Sequence, residues 1–336
     1  MKNYSYIFKI LIQENTLFMH IPDGFLDTKT IVATTLFSAV GFGTALHKLK
    51  NTILPSQIPL VGLTAAFVFV AQMLNFPVVA GTSGHLVGSV LTAVLLGPNA
   101  AVVVITSVLV VQCFLFADGG VLALGANIFN MAIIGSLVGY VIYRGVNKII
   151  PGRRGWFTSI VFASWCSTVI ASILCAGELA WSGTVRWDAA FPVMANVHML
   201  IGIGEGLITV LIVAAVWKAR PDLLQEQISG SLSFNIREII IYGTIVIIGL
   251  LLFVSPFVSE WPDGLEKTAA LLGFQRNAVD SDLIQSPISN YKFPGIGSPV
   301  MATTLAGIIG AVIVFVIGLV ISKFLVSQSD NNLLKR

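Results

Sequence analysis

Two histidines near one end of an apolar chain, His20 and His85, are the side chains whose type and setting best suit chemistry, and that chemistry is coordination of a divalent transition metal. With Met19 as a chain start, its terminal amine, the amide nitrogen of His20 and the δ nitrogen of the His20 imidazole close two fused chelate rings around one ion. The imidazole of His85 completes a plane of nitrogens. Planar nitrogen coordination suits Ni²⁺ and also Cu²⁺, whereas Zn²⁺ prefers a tetrahedron.

Further polar residues crowd the same end of the chain's apolar segments, where side chains of this kind are costly and therefore informative. They are Asn75, Thr82, Ser83, Asp118 and His198, with Glu205 seven positions after His198 on the same helical face. Ser83 is expected to cap a short third helix and place His85 in its first turn. Asn75, Thr82, Ser83 and Asp118 are expected to set loop geometry, and His198 to support a ligand by hydrogen bonding or to pack at an interface rather than ligate. Glu205 must face the interior, with a structural hydrogen bond its expected role. Asp23-Gly24 and Asp263-Gly264 read as turns, and His47 as a solvated boundary residue. Cys113, Cys166 and Cys175 lack paired spacing and read as packing residues.

The elements that position these residues follow from composition. Of 336 residues, 56% are hydrophobic and 10% charged, with a mean hydropathy of +0.90, so the chain is solvated by lipid. Each crossing needs about 20 apolar residues in a helix. The expected fold class is an all-α, polytopic transmembrane protein of about nine spans, near 31–46, 58–75, 85–97, 100–116, 122–145, 157–177, 198–217, 236–257 and 301–325. Lys and Arg number twelve on one side of such a layout against five on the other, leaving the first 18 residues aside. That asymmetry predicts an N-terminus outside and a C-terminus in the cytoplasm.

Four segments are expected. Residues 1–18 fail as a secretion signal, because Gln13, Glu14 and Asn15 break a short apolar run; either they are an amphipathic leader or translation starts at Met19. Residues 19–217 form a metal-binding transmembrane domain, 218–235 a polar cytoplasmic linker, and 236–326 a two-span domain with a long extracytoplasmic loop at 258–298. The net charge of +3 is scattered at span ends, which argues against nucleic acid as a partner; membrane lipid is one.

The stretches MHIPDGFL (19–26), QMLNFPVVAGTSGHLVG (72–88), GPNAAVVV (97–104), LFADGGVLALGANIFNM (115–131) and HMLIGIGEGLIT (198–209) resemble the CbiM/NikM family, the substrate-binding subunits of energy-coupling-factor nickel and cobalt importers. WPDGLEKTA (261–269) resembles the PDGLE accessory domain of the same importers. The resemblance implies an ion held by Met19, His20 and His85, a transmembrane coupling subunit and a cytoplasmic ATPase pair as partners, and Ni²⁺ or Co²⁺ as transported substrate with no catalytic cofactor. The fusion to the PDGLE segment is more similar to the nickel versions. Ala117 stands where the family often has Gly.

No hydrolytic triad, phosphate loop or redox motif is present in the sequence, so catalysis is not expected. An ion-coupled secondary transporter is the alternative, and it would need an acidic relay for which only Glu178 and Glu205 are available. A membrane metalloenzyme would need an open coordination position and a neighbouring base.

Overall fold

The computed structural model describes residues 20–79, 81–221, 236–259, 261–279 and 285–333. Ten helices and one small hairpin organise them. In chain order these are α1 (Thr28–Lys50), α2 (Ile58–Gln72), the strands β1 (Phe76–Val78) and β2 (Thr82–Gly84), α3 (Ser89–Leu96), α4 (Pro98–Phe116), α5 (Leu124–Ile149), α6 (Gly152–Trp181), α7 (Trp187–Ala219) and α8 (Arg237–Phe257). The short α9 (Gly264–Leu272) and the long α10 (Pro299–Leu333) complete the chain.

Eight of these helices, all but α3 and α9, are long and apolar enough to cross a bilayer, which makes this a multi-pass membrane protein close to the expected nine spans. The difference lies at 85–97. That segment is not a continuous helix but a non-helical stretch, 85–88, followed by the eight-residue α3. Non-helical backbone within a membrane bundle is tolerated only where protein satisfies its polar groups. Here Glu205 of α7, 2% exposed, does so. Its carboxylate accepts the Val87 N–H at 2.8 Å and the Gly88 N–H at 3.1 Å, while Gln72 Nε2 donates to the Val87 carbonyl at 2.8 Å. Gly88, at φ +75°, is the residue that opens α3. Ser83 is therefore not the cap that was expected: its hydroxyl donates to the Trp261 carbonyl at 2.6 Å, and His85 sits ahead of α3 rather than in its first turn.

α5 contains a widened, π-helical stretch at Ile128–Ile134. Hydroxyls from neighbouring elements serve the carbonyls there and next to it: Ser89 Oγ donates to Met131 O at 2.7 Å and Ser167 Oγ to Gly135 O at 2.9 Å. α6 and α7 form a long hairpin. The second block packs straight onto the first, with α10 lying along α2. At that crossing a Cβ on Gly318 would come within 2.9 Å of Gly62 Cα, the close backbone approach that small residues allow between membrane helices. The core between α2, α4, α8 and α10 holds Phe69, Ile105, Leu109, Phe116 and Leu251, all buried, whereas Leu36, Phe37 and Val40 on α1 are exposed to the surroundings that lipid would fill. Cys113, Cys166 and Cys175 are free thiols.

Orphaning a buried N–H costs about 1–3 kcal/mol. Glu205→Ala removes the acceptor from two and is expected to destabilise the protein by about 2–6 kcal/mol, with Glu205→Gln, which keeps one carbonyl oxygen, losing clearly less. Thermal unfolding in detergent, followed by tryptophan fluorescence, checks the order; equal midpoints for the alanine variant and the wild type would remove Glu205 from this role.

Candidate metal-binding site

His20 stands at the start of a non-helical strap, 20–27, and its place is set by backbone bonds from elsewhere in the chain. Asn127 clamps the strap at two points, accepting the Ile21 N–H at 2.9 Å and donating Nδ2–H to the Ile21 carbonyl at 3.1 Å. Gly120 N–H donates to the same carbonyl at 2.9 Å. The Asp23 carboxylate gathers the N–H groups of Val121, Leu122 and Ala123. It thus does more than close a turn, since it fixes the approach to α5. Gly119, at φ +95°, is required: a Cβ there would lie 2.9 Å from that of His20.

His85 is brought to the strap by the β1–β2 hairpin, in which Phe76 pairs with Gly84 and Val78 with Thr82, and by the non-helical segment that Glu205 holds. The His20 and His85 rings face each other with centres 5.7 Å apart and planes at 59°. Both carry a buried nitrogen without a hydrogen-bond partner, Nε2 of His20 and Nδ1 of His85. The two rings open on a cavity of about 100 Å³, also lined by Asn127, Asn130, Cys175, His198 and Asp263.

His20 Nδ1 lies 2.9 Å from Asp118 Oδ1, and Tyr291 OH donates to Asp118 Oδ2 at 2.6 Å. Burial works to raise the Asp118 pKa, but His20 and the Tyr291 hydroxyl outweigh it and hold the carboxyl below its ordinary value. The carboxylate is therefore the acceptor and Nδ1 carries the hydrogen. That is the nitrogen the expected chelate uses, so coordination through it requires Asp118 to let go. Among the described residues no three His, Cys, Asp or Glu side chains converge as a metal cluster; a set built on backbone nitrogens has no need of one. Met19, the first expected ligand, lies outside the described residues.

The loop between α8 and α10 covers this end. Ser83 N–H donates to the Pro262 carbonyl at 2.8 Å and Thr82 Oγ1 to the same oxygen at 3.0 Å, so both residues tie the hairpin to the covering segment. Asn75 acts through its carbonyl, which accepts the Ser259 N–H at 2.9 Å, and it does not reach the cavity. α9 begins in a reciprocal cap, Asp263 Oδ1 accepting from Glu266 N at 2.8 Å and Glu266 Oε2 from Asp263 N at 3.0 Å. Gly264 presses against His198, where a Cβ would come within 2.6 Å of the ring. His198 Nδ1–H is spent on the Met194 carbonyl at 2.8 Å. Asn127, Asn130 and Tyr291 were not among the expected site residues. The two asparagines carried a signal, being amides inside an apolar helix; Tyr291 carried none.

Comparison with known proteins places this geometry. Residues 20–223 match the family described as CbiM, cobalt uptake substrate-specific transmembrane region, and residues 237–327 match the PDGLE domain. An Archaeoglobus fulgidus protein named for fused nickel transport, NikMN, is 35% identical over 309 residues, 91% of this chain and 99% of that one. The fused nickel transport protein NikMN of Rhodobacter capsulatus is 35% identical over 61% of this chain and 64% of its own, and the cobalt transport protein CbiM of Carboxydothermus hydrogenoformans 34% identical over 60% and 84%. A crystal structure described as a truncated transition metal transporter superposes with a TM-score of 0.55 at 31% identity, covering 60% of this chain and 99% of that chain. With a non-helical strap and hairpin bringing two histidines together at one end of a membrane bundle, and with matches of this extent, the chain belongs to the CbiM family of metal-transport membrane proteins and carries a PDGLE domain at its C-terminal end.

Proposed function

We propose that this chain is the substrate-binding subunit of an ATP-driven energy-coupling-factor importer that captures Ni²⁺ at the extracytoplasmic face. The observation that carries the proposal is the pair of facing imidazoles, His20 and His85, with ring centres 5.7 Å apart beside a cavity. The amine of Met19, the amide nitrogen of His20 and its imidazole, with His85 opposite, supply the ligand plane, and the amide gives up its proton as the ion enters. Nickel is favoured over cobalt because planar nitrogen ligation suits it and because relatives with the same two-part organisation are named for nickel.

The histidine end faces outward and the C-terminus the cytoplasm, as the distribution of Lys and Arg favours. Residues 19–217 form the capture domain and 236–326 the accessory domain; most of the intervening 218–235 lies outside the described residues. A transmembrane coupling subunit and a cytoplasmic ATPase pair supply the energy, and the subunit catalyses no reaction itself. An acidic relay for ion-coupled transport finds little support, because both oxygens of Glu205 hold backbone N–H groups and Glu178 accepts from Asn130 Nδ2 at 2.8 Å.

Loss of one ligand from a small site typically costs a hundredfold or more in affinity, judging by the 10–100-fold effect of disturbing even outer partners. His20→Ala and His85→Ala are each expected to weaken Ni²⁺ binding by about a hundredfold or more, measured by isothermal titration on purified protein. Wild-type affinity in both variants would end the proposal. The chelate also requires a free amine at Met19, so the mass of the intact mature protein is expected to correspond to a chain starting there; a mass that includes residues 1–18 removes that ligand.

A further inference from the structure

α7 packs along α6 and α8 along α2, and between α7 and α8 the bundle opens into a groove of about 790 Å³. It lies at the seam between the part of the chain that matches CbiM and the part that matches PDGLE. One face of each helix is turned to it. Ile208, Ile212 and Val216 line it at helical spacing along α7, and Ile239, Val246 and Val254 along α8, with α2 as the floor. From Ile239 to Val254 the groove runs about 22 Å, at about 1.5 Å per residue. That is more than half of the roughly 30 Å of hydrocarbon in a bilayer, so it is deep enough for the chains of one leaflet.

Polarity is graded along the groove. Four of the described lining residues have polar side chains, Thr64, Asn75, Tyr242 and Arg220, and of these Arg220 alone is charged. Arg220 and Tyr242 lie at the end away from the histidines, where α7 stops and α8 starts. Lys218 and Arg237 are exposed beside them, and among the described residues of these helix ends the one carboxylate is Glu238. The excess is cationic, and the guanidinium of Arg220 is suited to phosphate oxygens. The matching ligand has long flexible hydrocarbon and a negative head at one end.

We propose that the groove is the seat of a glycerophospholipid with an anionic headgroup, its chains lying between α7 and α8 and its phosphate at Arg220, Lys218 and Arg237. Most of the wall is built of long and branched side chains, which conform to acyl chains. Membrane helices pair instead where small residues let backbones approach, and Gly243, the glycine of this face of α8, is already taken up against Leu63 of α2. A lipid held there closes the seam and ties the two parts of the chain together at the end away from the hairpin and its covering loop.

The test uses the full chain in mild detergent and native mass spectrometry with phosphatidylglycerol or phosphatidylcholine of identical chains. Wild type is expected to retain one phosphatidylglycerol, preferred about tenfold or more over phosphatidylcholine, the scale set by two or three surface cations. Ala215→Phe, which fills the groove from α7, should abolish retention. The pair Lys218→Gln and Arg237→Gln should remove most of the preference while leaving the groove open. Leu36→Phe, on the exposed face of α1, should change neither, which separates a seat from the general lipid shell. Phosphatidylglycerol should also raise the thermal unfolding midpoint of wild type and not that of Ala215→Phe. Equal retention of the two lipids by wild type, or full retention by Ala215→Phe, overturns the proposal. Should Ala215→Phe fail to fold, an unchanged preference in the Lys218/Arg237 pair overturns it. An Ala215→Phe protein that keeps its lipid but no longer co-purifies with a membrane partner also overturns it, since the groove then holds a partner's helix.

Discussion

One carboxylate, buried in the middle of a membrane helix, underlies the architecture of the site. His85 is carried on non-helical chain inside the bundle, which lipid would not tolerate without internal partners. Glu205 provides them, spending both oxygens on the N–H groups of Val87 and Gly88. The same carboxylate satisfies the N–H of Gly88, the residue that precedes and caps α3. The hairpin, the non-helical segment and the short helix are thus a single device, and its output is the place of His85.

The opposite half of the site follows a different logic. His20 belongs to no regular element, and its strap is held from the outside by Asn127, Gly120 and the Asp23 carboxylate. Most of the polar side chains around the pair hold main chain in place: Asn127, Asp23 and Glu205 all spend their oxygens on backbone N–H groups.

The PDGLE segment is built into this end rather than appended to it. Pro262 and Trp261 lend their carbonyls to Ser83 and Thr82, Val279 N–H donates to the Asp23 carbonyl, and Tyr291 reaches the carboxylate that holds His20. Each of these contacts touches an element that carries or orients one of the two histidines. The C-terminal domain thus grips both halves of the candidate site.

The membrane class and the course of the long helices were legible in the sequence, because twenty-residue apolar runs have few physical interpretations, and isolated polar side chains at their ends drew attention to His20 and His85, whose rings the structure brings within 5.7 Å. The structural role of Glu205 was legible for the same reason. The break at 85–88, the true employment of Ser83 and the place of Tyr291 were not. Each depends on a partner far along the chain, nearly 180 residues away for Ser83 and Trp261 and 173 for Tyr291 and Asp118, and local pattern has no access to such pairs. Hydropathy decides which segments enter the bilayer; only packing decides which backbone groups are left for side chains to satisfy, and here those leftover groups build the site.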